Sequence, residues 1–204
     1  MNNDQRLQQM LDRHEIATLV QNWGFWRDAG DWERLRTTFH PEGTICVTWF
    51  TGLFSDFLAG SMEMRKTRSR AKHSMGATQA SLKGRRAIAE SNAFIMNRVV
   101  LHGVEVDSMA WGRFYDRLEK REGVWRILKR DAIYEKDRID PVVPGSRIEL
   151  DMEKLKRFPE GYRYIAYSLA SNGFESRLDL PTNGSPELAT LKAEGEAWLA
   201  AAPL

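Results

Sequence analysis

The segment Val104–Tyr134, VEVDSMAWGRFYDRLEKREGVWRILKRDAIY, decides the fold. Val104–Leu118 alternates between apolar and polar residues, which is the period of a strand with one buried face. Lys120-Arg121-Glu122-Gly123 carries turn chemistry. Val124–Tyr134 then resumes β-branched and aromatic character, so the chain folds back on itself. Upstream, His73–Ser81 and Arg85–Val100 read as two more strands, with Lys83-Gly84 between them as a hairpin turn. Four long antiparallel strands need a cover on one face, and the cover must come from the N-terminal segment.

That segment is helical in pattern. Ile16, Leu19, Val20, Trp23 and Trp26 recur at helical spacing behind Asp12-Arg13-His14-Glu15, a capping-box sequence. Gly30 is placed to end this helix in a left-handed cap. Asp31 then opens a short second helix with Trp32, Leu35 and Phe39 as its stripe. His40-Pro41-Glu42-Gly43 reads as a turn and Thr44–Phe50 as a strand. Ser55 to about Lys66 forms a third helix. The fold class is therefore α+β: a cone-shaped half-barrel, in which a curved antiparallel sheet wraps the N-terminal helices.

Residues 1–140 make the barrel domain in this reading, and 141–204 a helical C-terminal extension. Pro159–Gly173, with Tyr162, Tyr164, Ile165 and Leu169, supplies one helix, and Ser185-Pro186 opens another through Leu188, Leu191 and Trp198. The extension is apolar enough to pack on the barrel or on a neighbouring subunit. Covering the open mouth of the cone, within a homo-oligomer, is its expected role.

Composition narrows the function classes. A net charge of +2 on 204 residues is too weak to indicate a nucleic-acid partner. The run Arg65, Lys66, Arg68, Arg70, Lys72 reads as a solvated face more readily than as a phosphate patch. No apolar run has the length to span a bilayer, and the first residues lack the apolar core of a secretion signal. A cytoplasmic location is expected. A single cysteine, Cys46, excludes an internal disulfide. The four histidines show no helical ligand spacing, so neither a metal nor another cofactor is expected. The chain holds seven Trp, nine Phe and five Tyr, many of them between Trp23 and Phe57. Two readings of that cluster stand together: core packing, and a pocket for a flat aromatic ligand.

Asp28 and His73 carry the chemistry. Histidine is the side chain most easily poised to move a proton near neutral pH, and a carboxylate on its other ring nitrogen fixes the tautomer. Asp28 also falls at a helix C-terminus, where the dipole disfavours a carboxylate and a positive neighbour is needed; a protonated His73 could be that neighbour. Each residue has a bland alternative, Asp28 as a surface residue before a turn and His73 as a hydrogen-bonded edge-strand histidine. On the predicted elements, Trp26, Trp49, Phe54, Asn92, Arg113, Arg130 and Tyr134 are candidate substrate-binding side chains. Arg or Tyr there would steady a developing oxyanion.

Three stretches together resemble the SnoaL-like family of the nuclear transport factor two-like superfamily. They are Glu15–Val20 through Asp28-Ala29-Gly30-Asp31-Trp32, the His73 strand, and Tyr115–Leu118 followed by Gly123–Ile127. Phe158–Tyr164 is similar to an extension found in some members. The superfamily includes cofactor-free dehydratases, dehydrohalogenases, ketosteroid isomerases, polyketide cyclases, formaldehyde-releasing lyases of lignin-derived diaryl propanes, and non-catalytic binders. In dehydratase-type members an Asp ending the first helix and a His opening a sheet strand form the catalytic dyad, which maps onto Asp28 and His73. Some members place Tyr before that Asp, where this chain has Arg27. The resemblance implies a lyase that eliminates water or formaldehyde from a hydroxylated aromatic small molecule. An isomerase or cyclase using Tyr115 or Tyr134 as acid, and a non-catalytic assembly subunit, are the alternatives.

Overall fold

A computed structural model describes residues 2–67 and 71–202. Helix α1 (Asn3–Ala29) is followed by α2 (Trp32–Arg36), β1 (Phe39–Val47), β2 (Phe50–Leu53), α3 (Phe54–Thr67) and β3 (Lys72–Lys83). Then come β4 (Arg86–Leu101), β5 (Val104–Arg121) and β6 (Val124–Pro141), and finally α4 (Met152–Leu155), α5 (Arg163–Ser171) and α6 (Pro186–Ala200). The six strands form one mixed sheet in the order β2-β1-β6-β5-β4-β3, antiparallel except where β1 runs parallel to β6.

The fold is α+β, with the curved sheet wrapped around the N-terminal helices. The two long hairpins turn through His102-Gly103 and Glu122-Gly123, whose φ angles of 51°/79° and 51°/80° are all positive. Two successive left-handed residues match the right-handed twist of the flanking strands, and a glycine in second place removes half the steric cost. A bulge between Trp111 and Gly112 shifts the β5–β6 register, so the inward face of β6 passes from Tyr134 to Asp137. A Cβ on Gly112 would lie 2.2 Å from the Ile133 carbonyl oxygen, which only glycine permits.

The first helix begins earlier than its sequence suggested. Asn2 is the cap, with a reciprocal Asn2–Gln5 capping box. Asp12 instead lies within the helix and accepts hydrogen bonds from Lys120 Nζ (2.7 Å) and Trp125 Nε1 (2.8 Å), which tie α1 to the β5–β6 hairpin. Gly30 does end α1, at φ 75°, and Asp31 does cap α2. His40–Gly43 lies within β1 rather than in a turn, and the buried His40 donates from Nε2 to the Glu119 carbonyl. The predicted strand at 44–50 is broken by a turn at Thr48-Trp49. Of the basic run, Arg68 and Arg70 lie outside the described residues. Arg65 donates to the α1 C-terminal carbonyls of Asp28 and Ala29, and Lys66 pairs with Glu63.

The main core joins Ile16 and Trp23 of α1, Phe54, Phe57 and Leu58 of α3, and Phe114 and Ile127 of the sheet. The C-terminal segments pack on both faces. On the concave side, α5 presents Ile165, Ser168 and Leu169 to the open end of the cone. On the convex side, α6 sets Leu188, Leu191 and Trp198 on Ile88, Tyr115 and Ile133. Gly195 allows this approach, since a Cβ there would meet the Tyr115 hydroxyl at 2.1 Å.

Candidate active site

Asp28 is the penultimate residue of α1, and His73 the second residue of β3. Their side chains meet. The carboxylate is held twice by one residue: His73 Nδ1 lies 2.7 Å from Oδ1, and the His73 backbone N–H donates to Oδ2 at 2.9 Å. Lys72 Nζ stands 3.2 Å from Oδ2. Both dyad side chains are about nine-tenths buried. Trp23 packs against the imidazole edge-on, with ring centroids 5.5 Å apart.

This geometry assigns the tautomer. Burial alone would raise the Asp28 carboxyl, but the N–H groups of His73 and the Lys72 ammonium outweigh it and hold the group below the usual carboxylate range. An ionised carboxylate can only accept, so Nδ1 carries the proton and Nε2 keeps its lone pair. Burial lowers the His73 pKa, and the Asp28 interactions offset that only in part. The resting dyad is thus carboxylate and neutral imidazole. The positive neighbours that offset the helix dipole at Asp28 are Lys72 and Arg65, rather than an imidazolium.

His73 opens onto a cavity of about 510 Å³, within the usual size of a small-molecule site. Trp23, Trp49, Phe57 and Phe114 form its aromatic walls, with Val47 and Ile95 between them. Polar groups enter at Arg27, Thr48, Asn97, Ser108, Tyr134 and Ser168. Tyr134 accepts from the Thr48 backbone N–H at 3.3 Å, and burial pushes its hydroxyl up to about 12, so it stays protonated. The Asn97 Oδ1 atom is buried with no hydrogen-bond partner among the described residues. Glu105 and Arg98 lie toward the β4–β5 turn, where Arg98 pairs with Asp107. Among the described residues no three His, Cys, Asp or Glu side chains come together as a metal site.

Of the seven candidate binding residues, Trp49 and Tyr134 line the cavity. Arg130 lies beneath its floor, fully buried, bidentate to Asp116 at 2.7 and 2.6 Å and stacked under Trp23 and Phe114 at 4.5 and 4.4 Å. The other four are elsewhere. Asn92 and Arg113 are cross-strand partners on the face opposite Ser91 and Phe114. Arg113 there binds Glu90, Glu135 and Asn183. Trp26 is turned about 100° around α1 from Arg27 and packs on the core. Phe54 is buried against Phe39 with ring centroids 3.7 Å apart. Tyr115, the other candidate acid, lies under α6 on the convex face. His102 bonds the Tyr167 hydroxyl outside the cavity.

Arg27 and Asn97 were not singled out as binding residues from the sequence. Helical spacing from Trp23 places Arg27 on the same side of α1. Asn97 shares strand parity with Ile95, but the direction of that parity needs the register: His73 pairs with Ile95, and Asn97 with Ser108.

Comparison with known proteins agrees with this architecture. The family model of the SnoaL-like domain matches residues 8–131. Pea pathogenicity protein 2 of Fusarium vanettenii is 33% identical over 175 residues, covering 84% of this chain and 75% of that protein. A PEP2-like protein of the same fungus is 31% identical over 201 residues, covering 93% and 86%. Among solved structures, a candidate scytalone dehydratase from Novosphingobium aromaticivorans superposes with a TM-score of 0.56 at 16% identity, covering 69% of this chain and 97% of that one. A hexachlorocyclohexane dehydrochlorinase superposes with a TM-score of 0.54 at 12% identity, covering 72% and 98%. At these identities the structural likeness is one of fold.

Proposed function

The chain belongs to the SnoaL-like family, and from that premise we propose that it is a cofactor-independent lyase acting on a hydroxylated aromatic small molecule. One observation carries the reading: a neutral imidazole, fixed through Nδ1 by a doubly bonded carboxylate, lines an aromatic-walled cavity. His73 takes a proton from substrate, and Asp28 stabilises the imidazolium that forms. In the dehydration version the proton leaves carbon, its electron pair forms the new double bond, and the β-hydroxyl departs with the proton that the imidazolium returns. The products are an alkene and water.

In a formaldehyde-releasing version the proton comes from a terminal hydroxyl. The adjacent C–C bond breaks to give formaldehyde, its electrons form the alkene, and a benzylic hydroxyl leaves as water. The cavity volume and its four aromatic walls suit a substrate of one or two rings. A second reading rests on Tyr134, which is protonated and in the same cavity. It would donate to a carbonyl oxygen while His73 moves a proton between carbons, giving an isomerase or cyclase.

Incubation of the purified chain with a panel of hydroxylated aromatic compounds, read by product mass, separates these versions. Loss of water or of formaldehyde supports elimination, and an unchanged mass with a new retention time supports isomerisation. His73→Ala is expected to lower turnover on the order of 10²–10⁴-fold with the fold intact. Wild-type turnover in that variant overturns the proposal.

A further inference from the structure

Arg27 has no visible employment in the dyad chemistry. Its side chain lines the cavity beside His73 and is half-buried. Among the described residues it forms no ion pair and donates no hydrogen bond, and its Nε is buried without a partner. Its contacts are the faces of Trp32 and Phe57, with the guanidinium carbon 5.7 and 5.8 Å from the ring centroids. The carboxylate that acts on it, Asp28, is already committed to His73 and Lys72. Arg65 is near enough to add repulsion rather than relief.

A guanidinium stays charged in proteins, and its planar fork matches carboxylate oxygens. Taking such a cation out of water without an anion is costly, so an arrangement like this is completed by a ligand that brings one. Desolvation lowers the Arg27 pKa to about 10, which leaves it charged at neutral pH and records the cost of its setting. Among the described residues, Arg27, Arg65 and Lys72 stand around the Asp28 carboxylate at this end of the cavity. Among the described residues Glu105 is the acidic member of the lining itself, at the β4–β5 end.

We propose that Arg27 is the anion-binding residue of this cavity, and that the substrate class is an aromatic carboxylate whose acid group pairs with Arg27 while the reacting carbon faces His73. The inference rests on the cavity being a substrate site, as proposed above, and adds the charge of the substrate. Its chemistry has a consequence for orientation: with the carboxylate fixed at Arg27, the ring lies among Trp23, Phe57 and Phe114, next to the imidazole.

The test compares two isosteric probes, 2-naphthoate and 2-naphthamide, by quenching of tryptophan fluorescence in the full chain. Wild type is expected to bind the acid at least about tenfold tighter than the amide. Arg27→Met should abolish that preference while leaving amide binding in place, and Arg27→Lys should restore part of it. His73→Gln should keep the preference while removing turnover of any substrate found. Equal affinities for the two probes in wild type, or an unchanged preference in a folded Arg27→Met, overturns the anion site. If Arg27→Met does not fold, the wild-type comparison and its weakening by salt decide the matter. Turnover of neutral substrates with no acid preference sinks this inference alone, whereas acid preference with His73-independent turnover sinks the lyase reading alone.

Discussion

Replacing Asp28 by Asn reverses the polarity of the His73 imidazole, the base of the proposed reaction, without changing its shape. The carboxylate now accepts two N–H bonds from His73, at 2.7 Å from the ring and 2.9 Å from the backbone. An amide offers one oxygen and one NH2. The backbone N–H cannot change its role, so the amide oxygen must stay with it. The NH2 then faces Nδ1, which has to give up its proton and become the acceptor. The proton moves to Nε2, and the cavity meets a donor where it met a base. General-base help is worth on the order of 10²–10⁴-fold, and that is the expected loss in turnover. Two charge-assisted bonds become neutral ones, at a cost of about 1 kcal/mol each, less the desolvation of the charge that is removed. Net destabilisation should be about 1–2 kcal/mol, or a few degrees in Tm for a chain of this length. The assay is twofold: steady-state turnover, and the 15N shifts of the His73 ring, which distinguish the tautomers directly. An Asn variant with wild-type turnover, or one whose Nε2 remains unprotonated, refutes the argument.

Two further outcomes follow from buried charge. Burial raises the Asp137 carboxyl to about 6, against 3.8 for a free aspartate, even though backbone N–H groups at the start of α5 bond to it. The folded chain thus holds a proton that the unfolded chain releases. Stability from this group is present below about pH 4 and is lost as pH rises through about 6. Asp137→Asn should raise stability near pH 7.5 by up to about 3 kcal/mol, the two-unit shift at 1.36 kcal/mol each, and much less at pH 4. Urea midpoints at the two pH values check this, and equal gains at both would contradict it. Arg130→Met strands the Asp116 carboxylate at a site with no solvent exposure, at an expected cost of about 3–5 kcal/mol. Asp116→Leu added to it should recover part of that loss, and a single-variant cost below about 1 kcal/mol would show that the pair is not buried as described.

Local sequence determined most of the elements, and the helix ends at Gly30, Asp31 and Ser185. The apolar spacing of Ile16, Val20 and Trp23, the glycine at position 30 and the capping side chains of Asp31 and Ser185 act within one or two helical turns. For the same reason the hairpins at Lys83-Gly84 and Glu122-Gly123 were legible: turn geometry is a property of the few residues that form it. Asp28 and His73 were recognisable because a helix end and a strand start are both readable, and because the family pattern joins them. What the sequence could not supply was parity. A strand's two faces differ by one residue, so Asn92 and Arg113 lie outside while Asn97 and Tyr134 lie inside. That choice is made by cross-strand register and by the bulge at Trp111–Gly112, which depend on residues far apart in the chain. Long-range packing likewise set Asp12 against Trp125, placed Arg130 under the cavity floor, and sent α5 and α6 to opposite faces of one sheet. The chain's pattern fixes which residues can form each element; only closure of the sheet around α1 decides which of their side chains reach a substrate.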